Sequence, residues 1–360
     1  MQDGKKLLII SCSTGSGHVK SAEALRLTCQ KDYPNCQALH IDMADYMSWI
    51  AKLLFVHSYD ALTSFFSKFY GFFYNFTDKQ WLHKFLKWLR PIFTPCAKKL
   101  FAKIREYNPD VIISTHFFPQ IIFSDNFKIP VNVVITDFHA HQIWISNNAK
   151  RFFVSSEAVK AQMNDLADKI TVSGLPIHPK FFEDKDLGAL KKKLEINPNL
   201  PVILVMPINK GSIKLKDAVK TIFSYNQNLN LAVIAGRNKQ TYADLAKIKN
   251  DYKNLILIKQ TDDVDEWMKV SDIIISKAGG LTVSETIHLN KPLIIINSIP
   301  GQEQFNTNYI VENNYGFSVE SSDDLAKKIE LITSGKEKIK SAPISDANKI
   351  ILDKIFSELQ

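Results

Sequence analysis

The stretch Ser276-Lys277-Ala278-Gly279-Gly280-Leu281-Thr282-Val283-Ser284-Glu285 joins the apolar run Ile273 to Ile275 to a helical segment through two glycines. Paired glycines let the main chain turn tightly and come close to a phosphate, and the helix that follows offers unpaired N–H groups at its N-terminus. A carboxylate on that helix, here Glu285, can accept both hydroxyls of a ribose. The pattern describes a nucleotide site. Its bland counterpart is an ordinary strand-loop-helix connection with Glu285 on a solvated face.

The elements that must carry such a site are legible as two series. Strand signals at Lys6 to Ser11, Gln37 to Asp42, Val111 to Ser114, Val131 to Thr136 and Arg151 to Val154 alternate with helical stretches. After the turn Gly174 to Pro179 a second series begins: Val202 to Met206, Leu231 to Ala235, Leu255 to Lys259, Asp272 to Ser276 and Pro292 to Asn297. Alternation of this kind predicts the α/β class, with parallel sheets covered by helices. Two doubly wound domains in tandem follow, with ligands outside the carboxyl ends of the strands, in a cleft between the domains. Residues 1–175 are expected to form the first domain and 176–340 the second, with 341–360 returning as a helix to the first.

Composition agrees. A chain of 360 residues is too long for one typical core. Its four cysteines, Cys12, Cys29, Cys36 and Cys96, form no CxxC pair and read as reduced thiols of a cytosolic protein. The apolar run after Lys5-Lys6 is too short for a signal peptide and reads as the first strand, and no run approaches the roughly 18 residues of a membrane span.

The net charge of +8 is concentrated. Between Tyr46 and Arg105 ten Lys or Arg stand against two acids, so the rest of the chain is neutral overall. The same segment is dense in rings, from Trp49 through Phe72, Phe73, Trp81, Phe85 and Trp88 to Phe93. Trp81, Phe85, Trp88 and Leu89 share one helical face, with Lys84 and Lys87 to its sides. An amphipathic helix of this kind suits an anionic membrane surface. Hydrophobic core and single-stranded nucleic acid are the competing readings, and no nucleic-acid fold signature accompanies the segment.

Four stretches in order resemble the GT-B glycosyltransferases of the monogalactosyldiacylglycerol synthase, processive diacylglycerol glucosyltransferase and MurG group (family 28 type). They are Ser13 to Ala22, with its glycine turn and histidine; Thr136 to Trp144; the turn Val172 to Pro179; and Lys277 to Glu285 with Ile299 to Asn306. The resemblance implies two Rossmann-like domains facing a central cleft and inverting transfer of a hexose from UDP-glucose or UDP-galactose to diacylglycerol. It also implies an anionic membrane as partner, a peripheral place on the inner face of the cell membrane, and no cofactor or metal. Transfer of N-acetylglucosamine to a lipid-linked peptidoglycan precursor, a non-catalytic nucleotide-sugar-binding protein and a sugar-nucleotide epimerase are the alternatives.

The resemblance also assigns residues. A lipid hydroxyl needs a base as it attacks the anomeric carbon; His18 is the first candidate, with Asp137 either the rival base or the group that orients it. On the donor side stand Gly15, Gly17, Gly279, Gly280, Glu285 for the ribose, and Gln302 with Glu303 for sugar hydroxyls. Arg237 is read as a phosphate or uracil contact, or simply an exposed strand-end arginine. The second domain departs from the family where Met206-Pro207-Ile208-Asn209-Lys210-Gly211-Ser212 keeps one glycine, Gly211, and Lys210 is expected to supply compensating charge. His139, His141 and Trp144 are expected to shape the acceptor side; their His-x-His spacing lacks further zinc ligands. Asp263-Val264-Asp265 reads as a capping or solvated loop rather than a metal motif.

Overall fold

The computed structural model describes residues 4–48, 52, 67–79, 81, 85, 88, 94–123, 128–146, 148–208, 213–236 and 238–359. The chain divides into two compact units. The first comprises Met1–Pro179, Pro300–Gln302 and Ser345–Gln360; the second comprises Lys180–Ile299 and Glu303–Ile344.

The first unit is built on six parallel strands in the order β2-β1-β3-β4-β5-β6: β1 Lys6–Ser11, β2 Gln37–Asp42, β3 Val111–Ser114, β4 Val131–Val134, β5 Arg151–Val154 and β6 Ile170–Val172. Strands buried on both faces read as continuous apolar runs, as Leu7-Leu8-Ile9-Ile10 does. The chain leaves β1 for β2 on one side and returns to β3 on the other. The loops after β1 and β3 therefore diverge and open a crevice at their carboxyl ends. Helix Ala347–Ser357 packs Ile351, Leu352, Ile355 and Phe356 into the same core as Leu7, Ile9, Ala22 and Leu25.

The second unit repeats the design in the order β12-β11-β10-β7-β8-β9: β7 Val202–Val205, β8 Asn230–Ile234, β9 Leu255–Ile258, β10 Ile273–Ser276, β11 Leu293–Ile295 and β12 Gly316–Ser318. All five pairings are parallel. Here the order reverses between β7 and β10, so the second crevice lies after those two strands. No helix among the described residues is long and apolar enough to cross a membrane.

Candidate active site

In the first unit the glycine turn after β1 feeds helix Ser16–Asp32. Gly15 caps it with φ 91°, a left-handed conformation that disfavours any side chain, and a Cβ at Gly15 or Gly17 would meet nothing within 4 Å. The turn thus leaves open space above the crevice and places His18 in the first helical turn. The His18 ring is gripped from the loops after β3 and β4: Nδ1 lies 2.9 Å from the Thr115 carbonyl and 2.9 Å from the Thr136 hydroxyl, while the Thr115 hydroxyl donates back to the His18 carbonyl at 2.9 Å. A carbonyl can only accept, so Nδ1 carries the proton and Nε2 keeps its lone pair. Burial pushes the imidazole below its ordinary value, opposed by the Asp137 charge and the Thr115 carbonyl. The result is a neutral ring with a defined acceptor nitrogen, the form a general base requires.

His116, which the sequence reading did not single out, stands beside it. Its ring meets His18 edge-on at 4.7 Å between centroids. Nδ1 accepts from the Phe118 N–H at 3.1 Å, which leaves the proton on Nε2 to be donated to Thr14 Oγ1 at 2.8 Å, in the glycine turn itself. Burial, and then the neighbouring His18, hold His116 well below the ordinary histidine value. The available signal was topological, since residues after the third strand must face residues after the first at a switch point.

Asp137 follows β4 and is buried; both its carboxylate oxygens lie 2.8 Å from Gln302 Nε2, and its carbonyl accepts from Ser155 Oγ at 3.0 Å. The loop that continues to Trp144 is tied to helix Ser67–Thr77. His139 Nε2 bonds Asp78 Oδ2 at 2.6 Å, the Gln142 N–H donates to Asp78 Oδ1 at 2.9 Å, and His141 Nε2 lies 3.0 Å from the Tyr74 carbonyl. His141 Nδ1 accepts from the Ile143 N–H at 3.1 Å, so this ring is a loop fastener, and it is buried. Trp144 is buried too, with ring centroids 5.9 Å from both His18 and Phe117. It forms a wall of the crevice and presents no exposed face to a membrane. The same helix packs on Pro300-Gly301 with no room to spare: a Cβ on Gly71 would stand 2.7 Å from Pro300 Cβ.

Exposed rings do line that helix and the stretch after it. Phe72, Phe76, Trp81, Phe85 and Trp88 are 41% to 71% exposed, and consecutive centroids lie 5.8 to 6.3 Å apart in one unbroken row. Phe73 is helical in its backbone. Lys84 and Lys87 lie outside the described residues, as do Lys210, Gly211 and Arg237.

In the second unit the turn after β10 starts helix Gly280–His288. Gly279 caps it at φ −69°, a value any residue adopts, and a Cβ there would meet nothing within 4 Å. Glycine therefore serves close approach at this position rather than an unusual turn. Glu285 is buried, which removes the solvated-face reading. The turn is fixed from below by Asn306 Nδ2, which donates to the Ala278 carbonyl at 2.9 Å. Glu303 is buried at the start of helix Gln302–Glu312; it pairs with Lys277 through Oε1 and accepts the Ile299 N–H at 2.8 Å through Oε2. Of the Asp-x-Asp string, Asp263 sits at a helix cap position without a side-chain cap bond, and Asp265 is not solvated: it is buried against Lys185 at 2.9 Å. Among the described residues no cluster of His, Cys, Asp and Glu could hold a metal ion.

Likeness to known proteins spans nearly the whole chain. The family model of monogalactosyldiacylglycerol synthase matches residues 18–177, and that of the glycosyltransferase family 28 C-terminal domain matches 207–353. Monogalactosyldiacylglycerol synthase 3, chloroplastic, of Arabidopsis thaliana is 30% identical over 362 residues, covering 93% of this chain and 76% of that protein. The chain belongs to the monogalactosyldiacylglycerol synthase family. Within that family it is also similar to the processive diacylglycerol beta-glucosyltransferase of Bacillus subtilis, 27% identical over 379 residues, 99% of this chain and 96% of that one. Family membership makes the chain a glycosyltransferase. In fold alone it resembles UDP-GlcNAc 2-epimerase from Neisseria meningitidis, with a TM-score of 0.66 at 15% identity over 98% of this chain and 100% of the other. Two parallel six-stranded sheets with flanking helices are the GT-B arrangement that the sequence predicts.

Proposed function

We propose that the protein transfers a hexose from a UDP-sugar to diacylglycerol with inversion at the anomeric carbon, while seated peripherally on an anionic membrane surface. The observation that carries this reading is His18, whose Nδ1–H is held by Thr115 and Thr136 so that Nε2 stands as a neutral acceptor. The acceptor hydroxyl gives its proton to Nε2 as its oxygen bonds the anomeric carbon. The bond to the diphosphate oxygen breaks on the opposite face, and the electron pair leaves with UDP. Asp137 favours the protonated imidazole that forms, as its charge already opposes the effect of burial on that ring. The N-terminus of helix Gly280–His288 offers N–H groups and a partial positive charge to the departing diphosphate. The names of the Bacillus and Arabidopsis relatives support diacylglycerol as acceptor and leave glucose and galactose as the two sugars to separate.

The exposed aromatic row supports a membrane partner, because soluble proteins rarely show a contiguous apolar surface of that kind. A cavity of about 560 Å³ in the same unit is lined by Thr94, Pro95, Lys98, Phe101 and Arg105, and two cations beside apolar Pro95 and Phe101 suit an anionic headgroup. The free thiols Cys12, Cys29 and Cys36 fit the cytoplasmic face.

The test is mass spectrometry of lipids after incubation of the protein, and of H18A, with liposomes of phosphatidylglycerol and diacylglycerol and, separately, UDP-glucose, UDP-galactose and UDP-N-acetylglucosamine. A hexosyl-diacylglycerol from one donor, lost by at least about 100-fold in H18A, is the expected result. Absence of any lipid product from every donor, with UDP still bound, would sink the diacylglycerol assignment.

A further inference from the structure

Lys277 lies inside the donor motif, yet the phosphate turn and the ribose carboxylate leave it without a role. Its ammonium pairs with Glu303, a carboxylate only 5% exposed, whose second oxygen is committed to the Ile299 N–H. A buried carboxylate needs such a partner, so half of the task of Lys277 is plain. The other half follows from its exposure and position. The side chain is 30% open, and an ammonium has three N–H donors, of which Glu303 takes one. Its carbonyl accepts the N–H of Gly279 at 3.0 Å, so Lys277 is part of the turn that leads into helix Gly280–His288.

We propose that Lys277 bridges two anions: the side chain of Glu303 and the diphosphate of the bound nucleotide. This rests on the donor-site reading above and deepens it. Lys277 supplies a point charge where negative charge gathers as UDP departs, and the same ammonium pins Glu303 beside the diphosphate, where it can accept a sugar hydroxyl. One cation thus couples recognition of the leaving group to orientation of the sugar. Lys210 and Arg237 were the cations the sequence put forward for the phosphates; Lys277 is the one whose geometry is described.

Calorimetric titration of UDP and of uridine into the wild-type protein, K277M, K277R and K277M/E303Q tests this. The ligands differ only in the diphosphate and neither carries the hexose to be transferred, so Glu303 has no direct part in binding either. K277M is expected to weaken UDP by roughly 30-fold, the loss of one charge-assisted contact, and uridine by less than about twofold. K277R should recover most of the UDP affinity. K277M/E303Q, which removes the unpaired buried carboxylate, should regain the wild-type Tm without regaining UDP affinity. Equal weakening of UDP and uridine by K277M, or recovery of UDP affinity in the double variant, would show that Lys277 only neutralises Glu303 and overturns the proposal. Wild-type protein that binds neither ligand overturns the donor-site reading itself, and the bridge with it.

Discussion

Replacing Phe72 and Trp88 together by alanine removes the two most exposed large apolar side chains among the described residues, 70% and 71% exposed. Taking about 200 Å² for a phenylalanine and about 250 Å² for a tryptophan, the two rings offer roughly 320 Å². If half of that enters the headgroup boundary, burial at about 25 cal/mol per Å² contributes around 4 kcal/mol, close to a thousandfold in partitioning. Because both rings face outward, the Tm should move little. The assay is co-sedimentation with vesicles of phosphatidylglycerol at two salt concentrations. The loss should be equal at both, since apolar burial is insensitive to screening, whereas K98Q/R105Q should weaken binding chiefly at low salt. Turnover of a short-chain, water-soluble diacylglycerol should survive in F72A/W88A while turnover in vesicles falls. A partition coefficient within threefold of wild type would refute the reasoning and return the aromatic row to some other partner.

Other expectations follow from the crevice of the first unit. His18, His40, His116 and His141 are all held below the ordinary 6.5 chiefly by burial. The unfolded chain therefore binds more protons below that pH, and each neutral imidazole costs up to about 1.4 kcal/mol of stability per pH unit as acidity rises. Melting curves between about pH 7.5 and 5.5 should show Tm falling, less steeply in H116N. The acid limb of the kcat/KM profile should lie below 6.5 if His18 is the base, and a limb above 7 would remove it from that role. Q302A takes from buried Asp137 the amide that meets both its oxygens, and should lower kcat about 10- to 100-fold with UDP affinity unchanged. G71A sets a Cβ 2.7 Å from Pro300; overpacking of roughly 1 to 3 kcal/mol should appear as a lowered denaturant midpoint and slower turnover.

The central strands were legible because they are buried on both faces and carry unbroken apolar runs. The two that escaped, Ile170–Val172 and Gly316–Ser318, are three-residue strands at sheet edges. A short edge has one neighbour and a weak apolar signature, and in the second case it begins with a glycine, where any other residue would set its Cβ 2.3 Å from the Leu293 carbonyl. Val131 to Thr136 was read two residues too long, since Ile135 and Thr136 stay buried while the chain already bends towards His18. At the site, glycines and carboxylates stand out by type, but His116 and Lys277 act through partners 102 and 26 residues away in the chain, and only strand order brings those together.

The core shared by Leu25 and Ile351 has a consequence for how the protein is made. The first unit takes in residues up to Pro179, yet its core is closed by helix Ala347–Ser357, which the ribosome reaches only after the second unit. At about 5 to 20 residues per second, an apolar trough along the back of the His18-bearing helix waits roughly 10 to 30 s for its cover. Throughout that interval the nascent chain displays both an apolar groove and an exposed row of rings, so two apolar surfaces await a partner before the enzyme is complete.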